Sequence, residues 1–240
     1  MIGDYGVRLG LNNRVFFQDE QTDSQEFAYR PSLLGGSISY DLQMKSIGCN
    51  CLTGLYLVGL NADQCNYKEM ETDPNCAQID IFRGNKHGFN TAAAYPCKDG
   101  NCAQKPVCEL KTRDIAMAYG FGDQYKINTD NEIQAKTEFI SNHDKSKLLS
   151  IKTTLMQDGN SVVMETDGDC ADSLVYLTDA LKGGMGIGFS NYDPGFEVAN
   201  EVQGTCYSSL NRNFNIAFES SGSSQDTMIT GGACRTIEDG

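Results

Sequence analysis

Apolar and polar residues alternate at period two in five runs of the chain: Ile38–Met44, Ile133–Phe139, Leu149–Leu155, Met185–Phe189 and Phe214–Phe218. The inward positions of these runs are Ile38, Tyr40, Leu42 and Met44; Ile133, Ala135, Thr137 and Phe139; Leu149, Ile151, Thr153 and Leu155; Met185, Ile187 and Phe189; and Phe214, Ile216 and Phe218. Successive side chains on a strand point to opposite faces, so each run predicts a half-buried β-strand. Gly35-Gly36, Asp158-Gly159-Asn160 and Gly183-Gly184 separate the runs. These residues supply the positive φ angles of tight turns. Many antiparallel strands punctuated in this way predict an all-β fold, a sandwich or jelly roll.

One segment departs from the alternation. Leu174, Leu177, Thr178 and Leu181 recur at helical spacing, with Asp169 or Asp172 as the expected cap and Gly183 as the expected stop, which predicts one short helix. From about Cys65 to Cys108 the sequence is rich in Cys, Asn, Asp and Pro, and only Gln78–Phe82 reads as a strand. Long loops pinned by disulfides are expected there, on a scaffold where binding sites usually lie. No internal repeat occurs, and Ser220–Gln225 reads as a polar loop or linker; residues 1–240 are expected to form a single domain, with a linker or tail from about 220 to 240.

The formal charge of −13 argues against nucleic acid or anionic lipid as a main partner. Leu55–Leu60 is the longest dense apolar stretch, far short of the roughly 18 residues that span a bilayer. The N-terminus lacks a basic start and an apolar signal core, so any export signal is expected to have been removed or not resolved. Ten cysteines favour disulfides in an oxidising compartment, extracellular or lumenal. Zinc is the weaker reading: Cys49 and Cys51 form a lone Cys-x-Cys, and His87 and His143 are isolated. Asp167–Cys170 reads as a turn with a helix cap rather than a calcium loop, and His87 as a solvated loop imidazole. No cofactor is implied.

The most informative segment is Cys76–Asn85, with Gln78, Asp80 and Phe82 expected on one strand face, followed by Tyr95-Pro96-Cys97. This spacing resembles glycoside hydrolase family 7, the cellobiohydrolases and endoglucanases, whose signature is Glu-x-Asp-x-x-Glu-x-Asn and then Pro-Cys. Ser24–Phe27, Leu33–Leu42, Cys49–Asp63 and Gly183–Ser190 are similar to further strands of that family in the same order. The resemblance implies a concanavalin-like β-jelly roll of two curved antiparallel sheets.

Against that pattern, Gln78 stands where the family has its nucleophile and Arg83 where it has its acid/base, while Asp80 and Asn85 match. A retaining glycosidase needs both carboxylates, about 5 Å apart. An amide is no nucleophile, and a guanidinium neither gives nor takes a proton near neutral pH. Tyr95 replaces the histidine before Pro-Cys. Trp is absent, which argues against a cellulose tunnel, and the short chain implies an open groove. Tyr56, Phe82, Phe89, Tyr95 and Tyr192 remain as stacking candidates, with Asp80 and Asn85 as polar glycan ligands.

The expected function is a catalytically inactive, structural or glycan-associated protein, acting alone or as a subunit among neighbouring chains. Two alternatives are a module that binds a β-linked glycan and a residual β-glucan hydrolase using another carboxylate such as Glu69 or Glu71. The resemblance also implies the disulfides Cys49–Cys206, Cys65–Cys76, Cys97–Cys102 and Cys108–Cys170, leaving Cys51 and Cys234 to pair together.

Overall fold

The computed structural model describes residues 13–16, 30–45, 47, 52–59, 76–98, 101–166, 168–192, 215–219 and 228–230. They build a β-jelly roll of two antiparallel six-stranded sheets. The first sheet runs in the order β1 (Asn13–Phe16), β14 (Gly186–Tyr192), β3 (Leu52–Val58), β4 (Gln78–Gly84), β5 (Phe89–Tyr95), β8 (Cys108–Lys111). The second runs β13 (Asn160–Glu165), β12 (Leu148–Gln157), β11 (Ile133–Ser141), β2 (Ser37–Leu42), β15 (Asn215–Glu219), β16 (Met228–Thr230). β16 falls within the stretch expected to be a tail and adds an edge strand to the second sheet.

The second sheet follows the alternation closely. Ile38, Tyr40, Leu42, Ile133, Ala135, Thr137, Phe139, Ile151, Thr153 and Leu155 are buried. Lys136, Glu138 and Lys152 share the opposite face, where their ion pairs are long, at 3.9 Å, and half-exposed. Such pairs contribute little. Leu149 departs from its run. Opposite Ile140 and Ser141 the partners are Ser150 and Leu148, so Leu149 is the extra residue of a β-bulge and is exposed. An inserted residue moves the side chains beyond it to the other face.

The centre of the first sheet is buried on both faces, all along β3 and β5. This is why β5, with the sequence FNTAAAY, shows no alternation and sits inside a region expected to be loop. Short hairpin strands β6 (Cys97–Lys98) and β7 (Asn101–Cys102) follow it, and β9 (Tyr119–Gly120) pairs in parallel with β10 (Ile127–Asn128).

The helical segment is longer than its apolar spacing suggested. It comprises α1 (Gly168–Leu174), a 3-10 turn (Val175–Leu177) and α2 (Thr178–Gly183). Leu174, Leu177 and Leu181 are completely buried. Asp169 and Asp172 lie inside α1 rather than capping it, and the stop is Gly184, at φ 92°. A Cβ at Gly184 would lie 2.5 Å from the carbonyl oxygen of Arg30, so both conformation and space require glycine.

Two expected disulfides are present. Cys97–Cys102 closes the β6–β7 hairpin, and Cys108–Cys170 ties β8 to α1. Cys76 is also disulfide-bonded, to a partner outside the described residues. Cys49, Cys51, Cys65, Cys206 and Cys234 lie outside the described residues.

Candidate functional site

Cross-strand partners in an antiparallel ladder project to the same face. On the outer face of the first sheet this gives three rows. One contains Ser190, Gly54, Arg83, Asn90 and Lys111; the next Gly188, Tyr56, Asp80 and Ala93; the third Gly186, Val58, Gln78 and Tyr95.

Gln78, Asp80 and Arg83 therefore share a face, and Phe82 does not. A β-bulge in β4 is responsible: Leu55 pairs with Phe82 and Tyr56 with Asp80, so Ile81 has no partner on β3. The extra residue sends Phe82 inward, where its ring stacks on Tyr40 (5.3 Å between centroids) and Phe89 (5.5 Å). Arg83 takes the place on the polar row that strict alternation had assigned to Phe82. Phe82 and Phe89 are core residues and offer no stacking platform.

Gln78 Nε2 donates to Asp80 Oδ1 at 2.6 Å. Arg83 Nη1 lies 4.0 Å from Asp80 Oδ2, and Nη2 donates to Glu109 Oε1 at 3.0 Å. Glu109 also accepts from Asn90 Nδ2 at 3.0 Å and pairs with Lys111 Nζ at 2.7 Å. Burial pushes the Glu109 carboxyl up, but Lys111, Arg83 and Asn90 together outweigh it and leave the group below the usual glutamate range. These side chains form a continuous network, Gln78–Asp80–Arg83–Glu109–Lys111, with two anions and two cations among the described residues.

Glu109, Asn90 and Lys111 are the members that sequence reasoning missed. The signal available was the alternation of Glu109 and Lys111 directly after Cys108. It was obscured because β8 pairs with β5, a strand that the pattern did not reveal.

Tyr56 is fixed by its cross-strand partner. A Cβ at Gly188 would fall 2.3 Å from the Tyr56 ring, so the missing side chain is what lets the ring lie across β14. Tyr56 and Tyr95 are both buried. Tyr192 ends β14.

Asn85 holds the β4–β5 turn. Its Oδ1 accepts the backbone N–H of His87 (2.8 Å) and of Gly88 (3.2 Å), its carbonyl accepts Tyr119 Oη–H (2.9 Å), and the residue is completely buried. A glycan cannot reach it there. His87, expected to be solvated, is half-buried, and burial with the neighbouring Lys86 lowers its pKa. Glu69 and Glu71 lie outside the described residues.

No protein-family model matches the chain. The endoglucanase EG-1 of Humicola insolens is 28% identical over 101 residues, covering 36% of this chain and 23% of the relative. The match thus spans about a quarter of that relative's length. Solved structures agree over far more of the chain. An endoglucanase I complexed with cellobiose superposes with a TM-score of 0.60 at 14% identity, over 80% of this chain and 67% of that one. The native endocellulase EGI of Humicola insolens gives 0.60 at 17%, over 74% and 61%. A family 7 cellobiohydrolase from Daphnia pulex gives 0.55 at 14%, over 69% and 59%. The fold is that of the family 7 cellulases. In the family 7 signature the second and third acidic positions are three residues apart, and Asp80 and Arg83 keep that interval. The β4 bulge explains how residues so spaced reach one face of a strand.

Proposed function

We propose that this protein is a non-enzymatic member of the family 7 architecture, a glycan-associated or structural component of an extracellular or other oxidising compartment. The observation that carries the reading is the position of Arg83. Its guanidinium lies between Asp80 and Glu109, at the place where the resemblance puts a proton-donating carboxylic acid. Gln78, at the nucleophile's place, spends its amide on Asp80. Glu109 is held ionised by its cations and is therefore a poor acid. The two disulfides support an oxidising compartment. The cellobiose bound by an endoglucanase of this fold supports a β-linked glycan as the ligand class.

Incubation with soluble β-glucan and a chromogenic cellobioside tests the reading, with no product expected. Hydrolysis by the unmodified chain, abolished by Asp80→Asn or Glu109→Gln, would overturn it. A glycan array run beside a pull-down from the native source separates sugar ligands from neighbouring chains.

A further inference from the structure

Ile81 lies where two ladders fail at once. It has no register partner on β3, and on the other side pairing with β5 is interrupted between Asp80–Ala93 and Arg83–Asn90. Across the gap Ala92 adopts φ 55°. A residue in this position needs a hydrogen-bond donor for its carbonyl from outside the ladder.

That donor is the Thr91 hydroxyl, 2.6 Å from the Ile81 carbonyl oxygen. Thr91 Oγ1 is also 2.7 Å from Thr153 Oγ1, which is 2.9 Å from Thr137 Oγ1, which is 3.2 Å from Tyr40 Oη. A hydroxyl carries one hydrogen. Thr91 has given its own to Ile81, so Thr153 donates to Thr91, Thr137 to Thr153 and Tyr40 to Thr137. The three threonines are completely buried and Tyr40 nearly so. The chain crosses three strands of the second sheet and the core, and ends on the bulge that turns Asp80 and Arg83 to the same side. Losing the bulge would exchange the faces of Phe82 and Arg83.

We propose that Thr91, Thr153, Thr137 and Tyr40 are positioning residues for the polar row, fixing the β4 bulge from the opposite sheet; this rests on the reading of that row as the functional face. Thr153→Val breaks the chain at constant shape, Thr153→Ser preserves it, and Thr91→Val removes the final donor. The readout is the NMR titration of the Glu109 side-chain carboxyl in the folded full-length protein, together with the guanidinium signals of Arg83. In both valine variants the Glu109 midpoint should move up towards the ordinary glutamate value and the Arg83 signals should broaden or shift. Thr153→Ser should match the parent in both. Valine variants that melt earlier yet keep the parent's Glu109 midpoint and Arg83 signals would overturn the proposal and reduce the chain to core packing. Thr91→Cys, a much weaker donor of similar volume, makes the same comparison should the valine variants not fold. No sugar enters the measurement, so a failed glycan screen and a failed positioning role are separate results.

Discussion

Replacing Arg83 with glutamate, which would put an acid where the resemblance to family 7 expects one, also removes the cation between two carboxylates. The new group would sit among Asp80 and Glu109, which now lie 4.0 and 3.0 Å from the guanidinium. Two like charges about 5 Å apart repel by about 3 kcal/mol at an effective dielectric constant of about 20. Protonation caps that cost: a carboxyl of ordinary pKa near 4.3 is neutralised at pH 7 for about 3.7 kcal/mol, and at pH 5 for about 1 kcal/mol. Glu109→Gln should therefore reverse its effect with background. In the parent it weakens the pairing of Arg83 and Lys111 and destabilises by about 2–3 kcal/mol. In Arg83→Glu it removes a repelling anion and stabilises, giving a coupling of about 2–4 kcal/mol at pH 7.

The pH dependence has a definite sign. Glu109 is lowered in the folded parent, so its contribution is present above the ordinary carboxyl pKa and is lost as pH falls. In Arg83→Glu the added carboxyl is raised, so its penalty is present at neutral pH and relieved as pH falls. Between pH 7 and pH 5 the gap between parent and variant closes from the variant's side, and the parent's share is lost only below the ordinary carboxyl pKa. Urea unfolding followed by circular dichroism, on the four proteins of the cycle at pH 7 and pH 5, measures this. Glu109→Gln destabilising both backgrounds equally would refute the network. On the proposed reading, a test for gained hydrolysis would combine Gln78→Glu and Arg83→Glu with Glu109→Gln.

Removing Cys108–Cys170, which closes a separation of 62 residues, should cost about 4 kcal/mol, and removing Cys97–Cys102, with a separation of 5, about 2 kcal/mol; paired serine variants in non-reducing urea give the difference. Gly188→Ala should displace the Tyr56 ring at a cost of about 1–3 kcal/mol, seen as a changed near-ultraviolet tyrosine signal together with a lower urea midpoint. Leu149→Thr, at the exposed bulge residue, should change stability by no more than about 0.5 kcal/mol. Ile151→Ala, two residues on in the core, should cost about 2–5 kcal/mol by the same measurement.

The second sheet was legible because one of its faces is packed and the other wetted, so β2, β11 and most of β12 wrote themselves as alternation. Leu149 was misread because a bulge changes phase without leaving a mark in composition. β5 was invisible for the opposite reason: Asn90, Thr91 and the alanines 92–94 are all buried, and a strand covered on both faces has no period to detect. The site was half legible. Gln78, Asp80 and Arg83 were found through their spacing, but their common face depends on Ile81 losing its ladder partners, and their charge balance on Glu109 from a strand four positions further along the sheet from β1's neighbour β14. Asn85 matched a motif position while serving the turn, a role that spacing alone cannot separate from ligand binding.

The bond from Cys108 to Cys170 also has a mechanical side. A chain pulled by its two ends would withhold the contour between them, 62 positions or roughly 200 Å at full extension. β9 to β13 lie inside this loop, so three of the second sheet's six strands can lose their folded shape under tension without adding to the molecule's reach. Only a reductant would release that length, making extensibility a property that the surroundings set.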